Sequence, residues 1–476
     1  MVDLFIEGGT VVTQNADRDV IEDGVVAVDG DTIAAVGPAA SVADSHDPDQ
    51  TVDATGHLVL PGLVNPHTHV SDILLRGRGG GDRGLYDWLF NIKQPGMAVM
   101  TPEEHELAAA CYCREALRAG VTTFVENDAE VPLGDLETMR AKFNAFAAAG
   151  IRSIYARGVR DLLVDDGFQQ LIDRITAGEP AVEHPEQSRY VAPLDDWLDE
   201  LEALHANHHG SAEGRHEIWV APVVIEGMTD EGLRETYRFA ECHDVMTTIH
   251  TAEAPEQTAG SLSPIEHLDN VGSLGEHALL GHCVQIDERD IRQLARTDTR
   301  VAHNIGSNLA LGNGFAPVPA MHAHGVTVGL GTDNSILSDT VNPLADVRLA
   351  ALAHKGHRTD PGVVPAQQAL DMVTVEAARA IRKGDVLGSL TVGKRADIAL
   401  LDLDHPQFTP APDPVSALVY QATGTEFDTV ICAGEIVVED GRATGIEAAY
   451  PDLRERATAA AERIAAASGL DTVGRA

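Results

Sequence analysis

The sequence has 476 residues, of which 34 are lysine or arginine and 74 are aspartate or glutamate, so its formal net charge is −40. Apolar residues make up 44% of the chain, which allows a large buried core and excludes a disordered protein. A polyanion of this size repels phosphate backbones and anionic lipids, so we expect neither nucleic-acid nor membrane partners. We find no apolar segment of roughly 18 residues and no basic, apolar leader, and therefore expect a cytoplasmic protein.

The acidic side chains are spread over the whole chain, and most of the basic residues are arginines. This composition resembles that of proteins from halophiles that accumulate salt, because salt screens the repulsion among like charges. We therefore expect a halophilic protein whose charge reflects its solvent and not its substrate.

In chain order, residues 1–60 contain short predicted strands at 4–6, 10–13, 24–29 and 32–36. From 61 to 386, short β-rich runs alternate with longer helical segments, which indicates a parallel sheet. For about 320 residues in this order, a (β/α)₈ barrel is the economical arrangement.

Short strands return in residues 387–445, and an alanine-rich amphipathic helix is predicted within 446–476. The two β-rich ends can pair as one small sandwich beside the barrel. The predicted fold class is therefore α/β, a TIM-type (β/α)₈ barrel at 61–386 with a β-sandwich domain built from 1–60 and 387–445.

The densest chemical motif opens the predicted barrel and reads PGLVNPHTH at 61–69. Residues two apart in a strand share a face, so His67 and His69 point the same way. Two imidazoles at the end of a barrel strand form half of a plausible metal site.

Three further clusters each end an apolar, β-like run: His250 with Glu253, then His282, then Asp333. Catalytic residues of such barrels come from the C-terminal ends of different strands. Any one of these residues alone would more often be structural. Their joint occurrence in this order indicates a metal-dependent active site.

The motifs together resemble the amidohydrolase superfamily, in the branch of chlorotriazine hydrolases and aminoheterocycle deaminases such as methylthioadenosine/S-adenosylhomocysteine deaminase. The resemblance covers nearly the whole chain. It also includes DWL at 87–89, GVTT at 120–123, HTAE at 250–253, SNL at 307–309, APVP at 316–319, GTD at 331–333, GSL at 388–390 and GKRAD at 393–397.

The resemblance implies the metal ligands His67, His69, His250 and Asp333. This set suits one divalent ion, Zn²⁺ or Fe²⁺, with an open position for water. Many binuclear relatives bridge two metals with a carbamylated lysine. The run at 152–157, which we expect to be the fourth barrel strand, has no lysine. We therefore expect a mononuclear site.

The resemblance also implies catalytic roles for Glu253, His282 and Asp333. Asp333 and His282 accept the proton of the metal-bound water, and the resulting hydroxide attacks a ring carbon. Glu253 protonates the ring nitrogen and passes a proton to the leaving amine. The implied function is that of a deaminase, a hydrolase that releases ammonia from an aminated N-heterocycle.

Candidate substrate contacts are less defined. Trp88 either lines the pocket or belongs to the core, and His303 and Asn308 either line the pocket or support it. The glycine-rich loop at 76–84 is expected to form a mobile lid.

Nucleoside-acting relatives place a glutamate and a histidine where this chain has Met97 and Val223. A ribose would therefore meet apolar surface, which favours a smaller triazine, pyrimidine or purine base. The alternatives are a chloro- or alkylamino-hydrolase of triazine-like rings and a deaminase of adenosine-type substrates. A homo-oligomer is expected from the resemblance alone.

Overall fold

The computed structural model describes residues 2–42, 48–78, 82–162, 191–257 and 262–470. The chain begins with five strands that belong to a mixed sheet. They are β1 (Val2–Val12), β2 (Val20–Asp29), β3 (Thr32–Pro38), β4 (Pro48–Asp53) and β5 (His57–Pro61).

Parallel strands follow and form the barrel. They are β6 (Leu63–His69), β7 (Val121–Asn127), β8 (Arg152–Val159), β9 (His216–Pro222), β10 (Thr247–Thr251), β11 (Ala278–His282), β12 (Arg300–His303), β13 (Val328–Leu330) and β14 (Asp333–Asn334). β13 pairs with β12, and β14 pairs with β6. These two short strands are therefore the halves of one eighth strand, interrupted at Gly331 and Thr332, and their pairings close the barrel.

Four strands near the C terminus complete the mixed sheet: β15 (Ile398–Asp402), β16 (Phe427–Cys432), β17 (Glu435–Glu439) and β18 (Arg442–Ala443). β15 runs antiparallel to β5, which joins the two ends of the chain. Leu4 and Val26 share one apolar core with Ile398 and Ile431. The prediction of a barrel with a small β domain from both chain ends is thus confirmed.

Helices follow the barrel strands and cover their outer surface. The longer ones are Pro102–Arg118, Leu136–Ala149, Leu194–His208, Asp230–Cys242, Pro264–Val271, Glu288–Thr297, Pro343–Arg358 and, near the C terminus, Leu453–Ser468. The shorter α-helices are Ala39–Val42, Leu85–Trp88, Gln94–Ala98, Ser211–Gly214, Ile305–Ala310, Val318–Ala323, Ser335–Ser338, Ala366–Asp371, Val375–Ala380, Pro414–Ser416 and Thr444–Ala449. The 3₁₀ helices are Ser71–Leu75, Ile225–Gly227 and Pro406–Phe408, and the π-helices are Leu89–Lys93 and Ala417–Gln421.

Local sequence explains where these elements begin. Thr101 and Glu104 form a capping box at the start of Pro102–Arg118, which satisfies backbone donors of the first turn. Every residue of β6 and β7 is buried, as expected for parallel strands covered by side chains on one face and helices on the other.

Two details of the sequence prediction are wrong. The strands predicted at 4–6 and 10–13 form one continuous strand. An irregularity at Gly8 and Gly9 shifts the pairing register with β2, but the strand continues through it. Gly8 has φ of +86°, a conformation that glycine adopts without strain. The run at 152–157 lies in the third barrel strand and not in the fourth, since only β7 separates it from β6.

Within the described residues, no helix combines the length and the apolar character needed to cross a bilayer. The predicted lid at 76–84 lies partly outside the described residues, because Gly79 to Gly81 are not among them.

Candidate active site

His67 and His69 project from the C-terminal end of β6 into the barrel mouth, and both are buried. Their Nε2 atoms lie 3.4 Å and 3.3 Å from the same oxygen, Oδ1 of Asp333. The register of the barrel explains this meeting, because Asp333 and Asn334 on β14 pair with Thr68 and His69 on β6.

His250, at the end of β10, faces the same point from across the barrel. Its Nε2 lies 3.2 Å from Nε2 of His69, and its Nδ1 lies 2.7 Å from the carbonyl oxygen of Val223. A carbonyl can only accept, so Nδ1 carries the proton and Nε2 presents its lone pair to the cluster.

The Asp333 carboxylate is held at both oxygens. Oδ1 accepts a hydrogen bond from Asn334 Nδ2 at 2.9 Å, and Oδ2 accepts one from the Ser307 hydroxyl. The Asp333 backbone has φ of +54°, which is unfavourable for a residue other than glycine. Such strain is typical of functional sites.

These donors fit a divalent metal. The Nε2 atom of His67 is buried and has no hydrogen-bond partner, which is costly unless a ligand is bound there. Burial lowers the pKa values of His67 and His250, and lowers that of His69 to about 3. The imidazoles are therefore neutral and able to coordinate.

Charge at Asp333 is also favourable for coordination. Burial alone would raise the pKa of its carboxyl, but the close contacts of Oδ1 with the His67 and His69 rings hold that pKa well below its usual range. Asp333 is thus ionised. Three neutral imidazoles and one carboxylate are a donor set typical of a single divalent ion.

A bridging lysine is absent from the relevant strands. β8 has no lysine, and neither does β9, which is the fourth barrel strand. The corrected strand order therefore leaves the expectation of one metal unchanged.

His282 and Glu253 lie beside the cluster. His282 Nε2 is 3.9 Å from Asp333 Oδ2 and 3.6 Å from Glu253 Oε2. On its other side, His282 Nδ1 lies 2.9 Å from Oδ1 of Asn308, and Glu253 Oε1 accepts a hydrogen bond from Asn313 at 3.1 Å. Both side chains are thus held by amides.

Burial raises the pKa of the Glu253 carboxyl to about 7, although the nearby His282 lowers it. A carboxyl with this pKa can carry a proton at neutral pH and release it, which is the requirement for a general acid.

The three predicted substrate contacts lie in different surroundings. Asn308 bonds to His282, as described. Trp88 is buried, with the Lys93 ammonium group 5.7 Å from the centre of its ring. His303 directs Nε2 toward Nε2 of His354, 3.1 Å away, on a helix outside the barrel. Their roles toward a substrate stay predictions.

Sequence reasoning missed several residues that contact the cluster. Asn127 Nδ2 lies 3.4 Å from Nδ1 of His67, and Asn334 contacts Asp333. Lys93 is buried and bonds to Asn334. The one signal for Lys93 was the scarcity of lysine in the chain, whereas an isolated asparagine gives no signal at all.

A small side pocket of about 60 Å³ is lined by Val223 and Val224. The carbonyl of Val223 contacts the His250 ring, and Val224 forms a backbone bridge with His250. Its apolar walls include Tyr86, Phe90 and Val224, and its polar lining includes Glu226. The volume is far below the roughly 300–1,000 Å³ of a pocket for a whole ligand.

The chain is similar to known proteins along nearly its whole length. A model of the amidohydrolase family matches residues 58–437. The chain is 34% identical over 456 residues to a 5-methylthioadenosine/S-adenosylhomocysteine deaminase of Nitratidesulfovibrio vulgaris (strain DSM 19637 / Miyazaki F), with 95% of each chain covered. It is 32% identical over 478 residues to an S-triazine hydrolase of Gordonia rubripertincta, with 96% of each covered. A mutant atrazine chlorohydrolase of Arthrobacter aurescens TC1, complexed with zinc and atraton, has a TM-score of 0.85 and 26% identity, covering 96% of this chain and 100% of that one.

Proposed function

The chain belongs to the amidohydrolase family, and from this premise we propose that it hydrolyses an exocyclic amine from a small aminated N-heterocycle and releases ammonia. The observation that best supports hydrolysis at a ring carbon is Glu253, a buried carboxyl with a pKa of about 7 that lies 3.6 Å from His282. It adjoins two overlapping groups of possible metal ligands, His67 with His250 and His282, and His67 with His69 and Asp333.

The proposed ligands are His67, His69, His250 and Asp333, around one divalent ion. We propose Zn²⁺ as the resident metal, because three imidazoles and one carboxylate suit it and a zinc complex is known for the atrazine chlorohydrolase neighbour. Fe²⁺ is the alternative. When bound, such an ion lowers the pKa of a coordinated water toward neutrality.

The chain's own side chains then handle the protons. Asp333 and His282 would accept the first proton of the attacking water, and Glu253 would protonate the adjacent ring nitrogen. Glu253 would then take up the second proton of the water and pass it to the leaving amine, and the proton held by Asp333 and His282 would restore the Glu253 acid. The products are an oxo-substituted ring and ammonia, so atoms and charge balance.

The proposed substrate is a triazine, pyrimidine or purine base without a ribose. Met97 and Val223 replace the polar anchors expected for nucleosides. Met97 is buried, and Val223 lines the side pocket.

The same site could release chloride or an alkylamine from a triazine-like ring. The similarity to an S-triazine hydrolase favours this second candidate, since protonation of the ring nitrogen by Glu253 assists any of these leaving groups. Adenosine-type substrates are the third candidate, because a methylthioadenosine/S-adenosylhomocysteine deaminase is 34% identical.

The proposed setting is a salt-rich cytoplasm, supported by the net charge of −40. We also propose a homo-oligomer, which light scattering in molar KCl would test. A monomer at all protein concentrations would contradict that part.

The decisive experiment uses zinc-loaded protein in molar KCl. Aminated purines, pyrimidines, triazines and nucleosides are screened for released ammonia, with chloride and alkylamine measured in parallel. We expect ammonia from a free base or a triazine. Ammonia from adenosine analogues would contradict the substrate proposal, and chloride or alkylamine without ammonia would contradict deamination.

A further inference from the structure

One buried lysine lies beside the metal-binding cluster without belonging to the four proposed ligands. Lys93 ends the π-helix Leu89–Lys93 and is 3% exposed. Its ammonium group lies 2.9 Å from Oδ1 of Asn334 and 3.3 Å from Oδ2 of Asp72. Burial of an ammonium group is strongly unfavourable unless partners compensate for the lost water, so its position needs a physical reason.

The Asn334 amide faces two groups of opposite hydrogen-bonding character. Its Oδ1 accepts from Lys93, and its Nδ2 donates to Oδ1 of Asp333 at 2.9 Å. An ammonium group can only donate and an ionised carboxylate can only accept. If the amide were flipped, its NH₂ group would face the Lys93 ammonium group and its oxygen would face the Asp333 carboxylate. Both contacts would be repulsive, so Lys93 determines which way the amide points.

The oxygen that receives this hydrogen bond is the one at the centre of the cluster. Asp333 Oδ1 lies within 3.4 Å of Nε2 of both histidines on β6. The other oxygen, Oδ2, is held by Ser307. With both oxygens bonded, the carboxylate cannot rotate without losing a hydrogen bond.

We propose that Lys93 is a positioning residue for the metal centre. Anchored by Asp72, its ammonium group orients the Asn334 amide. That amide holds the Asp333 carboxylate in the orientation that faces the histidines of β6. The inference rests on the proposed function in one respect only, the role of Asp333 as a ligand.

A purely structural role is the competing explanation. Asp72 is buried, and the Lys93 ammonium group at 3.3 Å is the cation paired with its carboxylate, so Lys93 could serve only to neutralise it. The two explanations predict different behaviour when the Asp72 charge is removed together with the lysine.

The first experiment measures metal affinity by chelator competition in molar KCl, without substrate. We expect Lys93→Met and the near-isosteric Asn334→Leu each to weaken Zn²⁺ binding by about 10- to 100-fold, the usual effect of removing a partner of a ligand. Because the two substitutions remove the same contact, the double variant should bind Zn²⁺ no more weakly than whichever single variant has the lower affinity. Additive losses would overturn the proposal.

The second experiment separates positioning from charge neutralisation. The variant Lys93→Met/Asp72→Asn leaves no unpaired charge, so it should regain the thermal stability that Lys93→Met loses. We expect its Zn²⁺ affinity to stay reduced and its Co²⁺-loaded form to show a visible spectrum different from that of the wild type. Wild-type affinity and spectrum in this variant would show that the lysine is only structural.

Two controls complete the design. Lys355→Met removes a lysine that bonds to Tyr420 elsewhere in the fold, and it should leave Zn²⁺ affinity unchanged. Asp333→Ala should lose the metal, and unchanged affinity there would overturn the ligand assignment and this inference with it. Neither readout uses a substrate, so an ammonia screen that fails would leave the test of Lys93 intact. If Lys93→Met does not fold, Asn334→Leu tests the same contact.

Discussion

Glu253 illustrates how burial and one neighbour prepare a single side chain for chemistry. Its carboxyl is removed from water, which favours the protonated form, while His282 at 3.6 Å favours the charged form. The net result is a pKa of about 7 instead of 4.5. A group balanced in this way can donate a proton and recover it within one catalytic cycle.

The first prediction concerns pH. Because the folded pKa of Glu253 is raised, the carboxyl stays protonated up to about pH 7 and loses its proton above that value. If Glu253 is the general acid, kcat/KM should fall as pH rises through about 7, because kcat/KM reports the ionisations of the free enzyme. The measurement is kcat/KM against pH on the metal-loaded protein.

Glu253→Gln provides the matching variant. It should retain the metal while kcat drops about 10²- to 10⁴-fold, the usual contribution of a general acid. The decline of kcat/KM above about pH 7 should also disappear. Activity equal to the wild type would remove Glu253 from the mechanism.

The second prediction concerns the ligands. His67→Ala should lose metal and activity together, because the cluster loses one of its two β6 imidazoles. Metal content after dialysis, measured by atomic emission, checks this. His324→Ala, at an exposed histidine, should keep both. A fully metallated His67→Ala protein would show that the metal site lies elsewhere.

At the scale of elements, a buried ion cluster fastens the helix Leu136–Ala149 to the end of β7. Lys142 is fully buried and contacts Glu126 at 2.6 Å, and it also bonds to Glu130. Glu126 in turn accepts a hydrogen bond from the backbone N–H of Val70, the residue directly after β6. The helix, β7 and the loop after β6 are thus held by one network.

The third prediction follows from this network. Lys142→Met should destabilise the fold by about 3–5 kcal/mol, because two buried carboxylates lose their cation. Urea unfolding measures the loss. The matched control is Lys383→Met, which breaks the more exposed pair with Glu217 and should cost at most about 1 kcal/mol. Equal losses in the two variants would contradict the assigned role of burial.

At the scale of the whole molecule, the net charge of −40 is the dominant feature. Repulsion among so many like charges opposes the compact state, and dissolved salt screens it. The mixed sheet also ties the two ends of the chain together, because β5 pairs with β15 although the whole barrel lies between them in the sequence.

The fourth prediction is a strong dependence of stability on salt. The midpoint of thermal unfolding should rise steadily as KCl is increased from about 0.1 M into the molar range, because screening lengths shorten from about 10 Å to 3 Å. Differential scanning calorimetry at fixed pH measures this. A midpoint that does not change with salt would contradict the halophilic interpretation.

The sequence by itself determined the barrel, the β domain and the placement of His67, His69, His250 and Asp333 at the C-terminal ends of predicted barrel strands. The physical reason is that these features depend on local rules. Periodicity assigns the element type, and the carboxyl ends of parallel strands meet at one edge of a barrel.

Only the tertiary structure decided the contacts that depend on packing between distant segments. Lys93 bonds to Asn334 across 241 positions, and His303 directs its Nε2 toward His354. No periodic pattern encodes such pairs, because the direction of a buried side chain follows from the neighbours that the whole fold brings to it. The barrel's closure through the divided eighth strand is of the same kind, since it depends on register between its first and last strands.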